Sequence, residues 1–187
     1  MTERLYLIIR PPPDQRRQLD ARRRMLELDR SYGAERFHLT VQPFGGIDRL
    51  TPAKRAALIA AITAIAIDAA PFRIVLDRVA GRQLIAGDGA AAIARLRRAV
   101  AASLAPVIAV PRYGGRPHVS LAYHGPRRAA APVDAVAWTV REVRLIGSLL
   151  GRGRHIDYAA LPFRPRQGEL FGSLGDRAGQ LPGRSSR

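Results

Sequence analysis

Two stretches of the chain repeat one pattern of polar and apolar residues. The first reads RFHLTV from Arg36 to Val41, and the second reads RPHVSL from Arg116 to Leu121. In both, an arginine, a histidine and a hydroxyl residue occupy alternate positions. Alternate residues of a β-strand share one face, so each histidine would stand about 6.5 Å from its hydroxyl partner, with apolar residues behind. We interpret the stretches as two half-buried strands whose polar face has a chemical use.

The paired imidazoles and hydroxyls are the groups that displacement at phosphorus requires. If the two halves of the chain are related by approximate two-fold symmetry, His38 and His118 face each other across a cleft. An ordinary histidine pKa of about 6.5 lets one imidazole act as base and the other as acid on opposite sides of a phosphodiester. Thr40 and Ser120 would donate hydrogen bonds to the phosphate oxygens. These four residues are the predicted catalytic groups, and which histidine is the base stays open.

Four further residues are candidates for binding the substrate. Arg36 and Arg116 precede the histidines on the same strand face, and a guanidinium suits a phosphate or a polynucleotide backbone. The alternative is a solvated arginine, which is common in this chain. Phe44 and Tyr113 lie in predicted loops beside the motifs and could stack on a base. The alternative for the aromatic side chains is packing on the core.

The other candidates receive simpler interpretations. His124 is expected at the rim of the cleft and His155 in a structural role, while strand alternation places Tyr123 on the apolar face. The chain has no cysteine, and the motif histidines lack carboxylates at the spacing of metal ligands. We therefore expect no metal and no cofactor.

Composition is that of one ordinary globular domain with a basic surface. The chain has 187 residues, 47% of them apolar, and a formal net charge of +16. The charge favours a polyanionic partner such as RNA, although a basic surface that only keeps the protein soluble is the alternative. The first apolar run, Leu5–Ile9, is too short for a membrane span or a signal peptide. We expect a cytoplasmic monomer without a membrane partner.

Helical and strand patterns alternate along the chain and indicate the α+β class. We expect a single bilobal domain over residues 1–163, with two pseudo-symmetric halves. Each half would have an antiparallel sheet with helices outside, and the active cleft would lie between the two sheets. The predicted strands are residues 5–9, 36–41, 72–79, 83–86, 107–110, 116–124, 136–147 and 155–161, and the predicted helices are residues 14–28, 52–68 and 90–104. Residues 164–187 are rich in Pro, Gly, Ser and Arg, and we expect a disordered basic tail there.

The two motifs resemble those of the two-histidine phosphoesterase superfamily, in particular its 2′-5′ RNA ligase-like branch. That family has two H-x-[T/S]-x motifs, which HLTV at His38 and HVSL at His118 match. Gly45, Pro117 and the first strand LYLIIRP also fit, so the similarity spans about residues 4–163. Gln42 and Tyr123 depart from the family, which often has basic residues there, and this puts the identity of the substrate in doubt.

The resemblance implies a fold and an activity. The fold is a bilobal α+β domain whose two motifs face one cleft. The activity is hydrolysis of 2′,3′-cyclic phosphate ends of RNA or nucleotides, commonly to 2′-phosphates, and some members reversibly join RNA through 2′-5′ linkages. The main alternative is a non-catalytic RNA-binding module on the same fold, which would need neither imidazole.

Overall fold

The computed structural model describes residues 2–106, 108–151 and 153–164. The strands are β1 (Glu3–Ile9), β2 (Leu39–Gly46), β3 (Phe72–Gly81), β4 (Gln83–Ala86), β5 (His118–Ser120), β6 (Arg128–Val140), β7 (Glu142–Leu149) and β8 (Arg154–Pro162). The helices are α1 (Pro13–Met25), α2 (Pro52–Thr63) and α3 (Ala90–Leu104), with a 3₁₀ turn at Ala34–Arg36. The predicted tail lies outside the described residues apart from Arg164.

The strands form one antiparallel sheet with the order β6-β3-β4-β5-β2-β1-β7-β8. Two four-strand halves meet at its centre, where Leu39 of β2 pairs with Val119 of β5. The arrangement repeats outward from that junction, because β1-α1-β2 on one side corresponds to β4-α3-β5 on the other. The predicted α+β domain with two similar halves is confirmed. The two halves are joined into one sheet, however, so the cleft does not lie between separate sheets.

The helices and one face of the sheet share a single hydrophobic core. Helix α3 contributes Ile93, Leu96, Val100 and Leu104, whose spacing gives one apolar stripe. Helix α2 begins as predicted, with the Thr51 hydroxyl accepting a hydrogen bond from the backbone of Lys54. No helix in the described part of the chain is long and apolar enough to span a bilayer.

Several predicted boundaries were wrong, for local reasons. Strand β2 starts only at Leu39, because residues 34–36 form a 3₁₀ turn, and it continues through Pro43 to Gly46. The predicted strand 116–124 is paired only at His118–Ser120. Residues 136–147 are divided at Arg141 between β6 and β7, which lie in opposite halves of the sheet. The described residues 108–110 are not in a strand.

Candidate active site

The central strand pair brings the four motif residues together on one face. Because β2 and β5 run antiparallel with Leu39 opposite Val119, His38 lies across from Ser120 and Thr40 across from His118. The two histidines are then diagonal neighbours, for which the usual separation is about 7–8 Å. All four polar side chains are half-buried and line one cleft of about 660 Å³.

The apolar partners in the motifs hold this face in place. Leu39, Val41, Val119 and Leu121 are fully buried in the core. A shift of the register by one residue would exchange the buried and polar sets, which burial of four aliphatic side chains strongly opposes. The alternation predicted from the sequence thus determines which face becomes the cleft.

Both histidines are oriented by the same local contact. Nδ1 of His38 lies 2.7 Å from the carbonyl oxygen of Arg36, and Nδ1 of His118 lies 2.7 Å from that of Arg116. A carbonyl oxygen can only accept, so Nδ1 carries the proton in each ring. In a neutral ring held in this way, Nε2 has the free lone pair. The Tyr32 hydroxyl also donates to the Arg36 carbonyl, at 2.7 Å, which supports the orientation of His38.

The surroundings of His38 favour its neutral form. Burial lowers its pKa below the ordinary value, and electrostatic interaction with Arg10 and His118 lowers it further, against the hydrogen bond to the Arg36 carbonyl. His155 packs edge-on against His38, with 5.2 Å between ring centroids. Burial, followed by electrostatic interaction with His38, Arg10 and Arg36, lowers the pKa of His155 to about 4. Both imidazoles are thus neutral at neutral pH.

The structure divides the predicted substrate-binding residues into two groups. Arg36 and Tyr113 line the cleft, and the Arg36 guanidinium lies 4.3 Å above the ring centroid of Tyr32. The side chain of Arg116 is exposed and is not among the described residues that line the cleft. Its backbone carbonyl instead accepts the hydrogen bond from His118. Phe44 packs against the hydrophobic core, which was the alternative to base stacking in the sequence analysis.

The remaining lining residues differ in how far the sequence predicted them. Tyr123 is 53% exposed and lines the cleft, so its predicted place on the apolar face was wrong, because the strand ends at Ser120 and alternation no longer applies. His155, predicted only in a structural role, reaches the cleft from β8. His124 lies exposed at the edge of the cleft, where it was predicted. Gln83 faces Ser120 across β4 and β5. The hairpin register of β4 is the only sequence signal that could have identified Gln83.

Helix α3 supports both motifs from beneath through one side chain. Arg97 donates from Nε to the Val41 carbonyl at 3.0 Å and from Nη1 to the Gly115 carbonyl at 2.7 Å. Its Nη2 lies 3.2 Å from the Thr40 carbonyl, and its guanidinium packs 4.5 Å from the ring centroid of Tyr113. The carbonyls belong to β2 and to the loop before β5, so Arg97 connects the two halves next to the cleft.

The described residues show no ready-made metal site. Among them, no three or more His, Cys, Asp or Glu side chains are grouped so that they could hold a metal ion. The polar and aromatic groups that the cleft offers a ligand are imidazole nitrogens, hydroxyls, a guanidinium, the Gln83 amide and aromatic rings. Such a set is suited to an anion that carries a flat ring, as a nucleotide does.

A comparison with known protein families found one match. The model of the 2′-5′ RNA ligase superfamily matches residues 11–151. The search of curated proteins found no match.

Similar folds occur among solved structures. LigT of E. coli complexed with 3′-AMP is 21% identical, with 87% of this chain and 99% of that chain covered and a TM-score of 0.61. TT0787 of Thermus thermophilus is 19% identical at the same coverage, with a TM-score of 0.66. LigT complexed with ATP is 22% identical, with 87% and 99% covered and a TM-score of 0.60.

Proposed function

The chain belongs to the 2′-5′ RNA ligase superfamily, and from that membership and its cleft we propose that it hydrolyses 2′,3′-cyclic phosphate ends of RNA or nucleotides. The observation that carries the proposal is the antiparallel pairing of Leu39 with Val119. It puts two imidazoles, each with Nδ1 turned to a carbonyl, and two hydroxyls around one space. The similar LigT chain complexed with 3′-AMP holds a nucleotide with a phosphate on the ribose, which supports a ligand of this kind.

In the proposed reaction, water attacks phosphorus in line with one ester oxygen of the ring. Nε2 of the neutral imidazole takes a proton from the water as the new P–O bond forms. The other imidazole, protonated, gives its Nε2 proton to the ribose oxygen as that P–O bond breaks. The product is a phosphomonoester on the ribose, and the two imidazoles have exchanged protonation states. No step needs a metal.

We assign His38 as the base and His118 as the acid for hydrolysis. The lowered pKa of His38 keeps its Nε2 lone pair available at neutral pH. Thr40 and Ser120 donate to the non-bridging oxygens, where negative charge builds in the transition state. If the 5′-hydroxyl of a second RNA replaces water and O3′ leaves, the same groups form a 2′-5′ linkage, so ligation uses the same site.

Turnover of a nucleoside 2′,3′-cyclic phosphate tests the proposal. Wild-type protein should open the ring in the presence of EDTA, and H38A and H118A should each lose about 10²–10⁴-fold in kcat, the usual effect of a lost acid or base. H124A removes an exposed imidazole at the rim and should lose far less. A wild type that binds RNA without turnover would favour the binding module, and activity abolished by EDTA would refute the two-imidazole mechanism.

A further inference from the structure

A second groove opens from the cleft on the side of His155. It has a volume of about 300 Å³ and lies where the start of α1, the 3₁₀ turn and β8 meet. Arg36, Gly153 and His155 line both the cleft and this groove. Because His155 packs directly on His38, the groove begins one side chain away from the proposed base. A ligand could therefore extend from the cleft into it.

The groove is strongly basic. Its charged lining consists of Arg10, Arg16, Arg36 and Arg154 against two carboxylates, Glu35 and Asp157. Four cations against two anions leave a local charge of +2 (4 − 2). Glu35 points mostly to solvent, with 71% of its side chain exposed, and stays 3.7 Å from Nε of Arg36. The carboxylates therefore neutralise the groove only in part.

Two guanidiniums of the groove have N–H groups without a hydrogen-bond acceptor in the described part of the chain. Asp157 accepts from Arg10 at 2.8 Å, whereas Nε of Arg16 and Nε of Arg36 are buried without a hydrogen-bond acceptor in the described part of the chain. A buried donor without an acceptor is unfavourable. An anion in the groove, with a small shift of these side chains, would supply acceptors. The lowered pKa of His155, to which Arg10 and Arg36 contribute, is in keeping with a positive potential there.

We propose that this groove binds a second phosphate of the substrate, the one attached to the 5′ carbon of the nucleotide whose cyclic phosphate lies between the motif histidines. The inference rests on the proposed function for the position of the first phosphate. Planar guanidiniums in pairs suit phosphate oxygens well. The second phosphate can be a terminal 5′-phosphate or the internucleotide phosphate that leads to the preceding residue of an RNA.

Binding of product-like nucleotides tests the groove without turnover. Wild-type protein should bind adenosine 3′,5′-bisphosphate at least roughly ten-fold more tightly than adenosine 3′-phosphate, the scale of one charge-assisted hydrogen bond. The double variant R16Q/R154Q should lose most of that preference and bind the monophosphate as wild type does. Arg17, on the same helix, is 75% exposed and pairs with Asp14. R17Q removes one such charge outside the groove and should keep the preference.

Kinetics with three substrates identify the source of the phosphate. The three substrates share the 2′,3′-cyclic phosphate and differ only in what is attached to the 5′ carbon. They are adenosine 2′,3′-cyclic phosphate, its 5′-phosphorylated form and the dinucleotide ApA with a cyclic end. A lower KM for the 5′-phosphorylated form alone indicates a terminal phosphate. A lower KM for ApA as well indicates the RNA backbone, and both patterns support the groove. R154Q should raise KM for the favoured substrate alone.

Two outcomes separate this inference from the proposed function. If the protein opens cyclic phosphates but binds bisphosphate and monophosphate equally, the groove is not a phosphate subsite, although the function stands. If no cyclic substrate turns over but the bisphosphate preference depends on Arg16 and Arg154, the groove stands and the hydrolytic function fails. An equal loss of preference in R17Q would show a general charge effect and overturn the groove.

Discussion

At the scale of single residues, the two motif histidines have equivalent positions in the sequence and different surroundings in the fold. Each turns Nδ1 to a carbonyl two residues earlier. His38 alone has a second imidazole, His155, packed edge-on against it. The fold therefore distinguishes two positions that the motifs leave equivalent, and that difference gives the assignment of base and acid its physical basis.

The pH profile tests this difference. Because His38 must be neutral to act as base, activity requires a pH above its folded-state pKa. Burial and Arg10 lower that pKa, so the acidic midpoint of kcat/KM should lie below the ordinary histidine value of about 6.5. R10Q removes a cation and should move the midpoint to higher pH, whereas R17Q should leave it unchanged. A wild-type midpoint above that ordinary value, or one that R10Q leaves in place, would contradict His38 as the base.

The hydroxyls should matter less than the imidazoles. T40A and S120A each remove one donor to a phosphate oxygen, and we expect kcat to fall by about 10²-fold with little change in KM, since the bond strengthens in the transition state. T40S keeps the hydroxyl and should retain most of the activity. Steady-state kinetics on a cyclic nucleotide measure both constants. Full activity in T40A and S120A would exclude the proposed role of these hydroxyls.

The sequence predicted the polar face of the motifs because alternation in a strand is a local rule. It did not predict which arginine reaches the cleft. Arg36 precedes its histidine in a 3₁₀ turn that folds back over Tyr32, while Arg116 ends an open loop and faces solvent. His155 has no motif around it, and its contact with His38 depends on how β8 lies in the sheet. Long-range placement of this kind is not encoded in local spacing.

At the scale of elements, α3 connects the two halves through Arg97. The helix belongs to the β4-α3-β5 unit, yet its guanidinium donates to two carbonyls of β2 and to Gly115 before β5. A single planar group thus joins the backbones that carry Thr40 and His118. Its position beside the core makes these donors hard for water to replace.

Loss of Arg97 should lower the stability of the fold. R97M removes three donors from the carbonyls of one buried and two half-buried residues, so the free energy of unfolding should fall by about 2–4 kcal/mol. R97K should recover only part of this, because an ammonium cannot span the three acceptors. Urea denaturation at unchanged m-value measures the loss. R98Q, at an exposed position on the same helix, should stay within about 0.5 kcal/mol, and an equal effect of R97M and R98Q would contradict the bridging role.

The elements themselves were predicted better than their ends. The first strand, the Thr51-Pro52 helix start and the β3-β4 hairpin follow from local apolar patterns and turn residues. Residues 136–147 read as one strand because their apolar residues continue past Arg141. The structure divides them because β6 pairs with β3 in one half and β7 with β1 in the other. The division is therefore determined by pairing with strands that are distant in the sequence, and no local pattern predicts it.

For the whole molecule, the chain carries a net charge of +16, whereas the described lining of the cleft includes a single arginine and no carboxylate. Such a charge attracts any polyanion. If the cleft and the adjoining groove bind the end of an RNA, part of the attraction must depend on specific phosphates. A basic surface that only keeps the protein soluble would bind RNAs with different ends alike. Salt dependence separates the two interpretations.

Binding of short single-stranded RNA should therefore depend on salt and on the 3′ end together. For single strands, log K falls with log salt by about 0.7 for each phosphate neutralised. An oligonucleotide with a 3′-phosphate places one more phosphate between His38 and His118 than the same oligonucleotide with a 3′-hydroxyl, so its slope should be steeper by about 0.7. R154Q should make the slope shallower for both, because it removes a contact of the adjoining groove. Fluorescence anisotropy between about 50 and 200 mM salt covers the range in which such slopes are measured. Equal slopes for the two ends, unchanged in R154Q, would mean that charge spread over the surface binds the RNA and that the cleft takes no part.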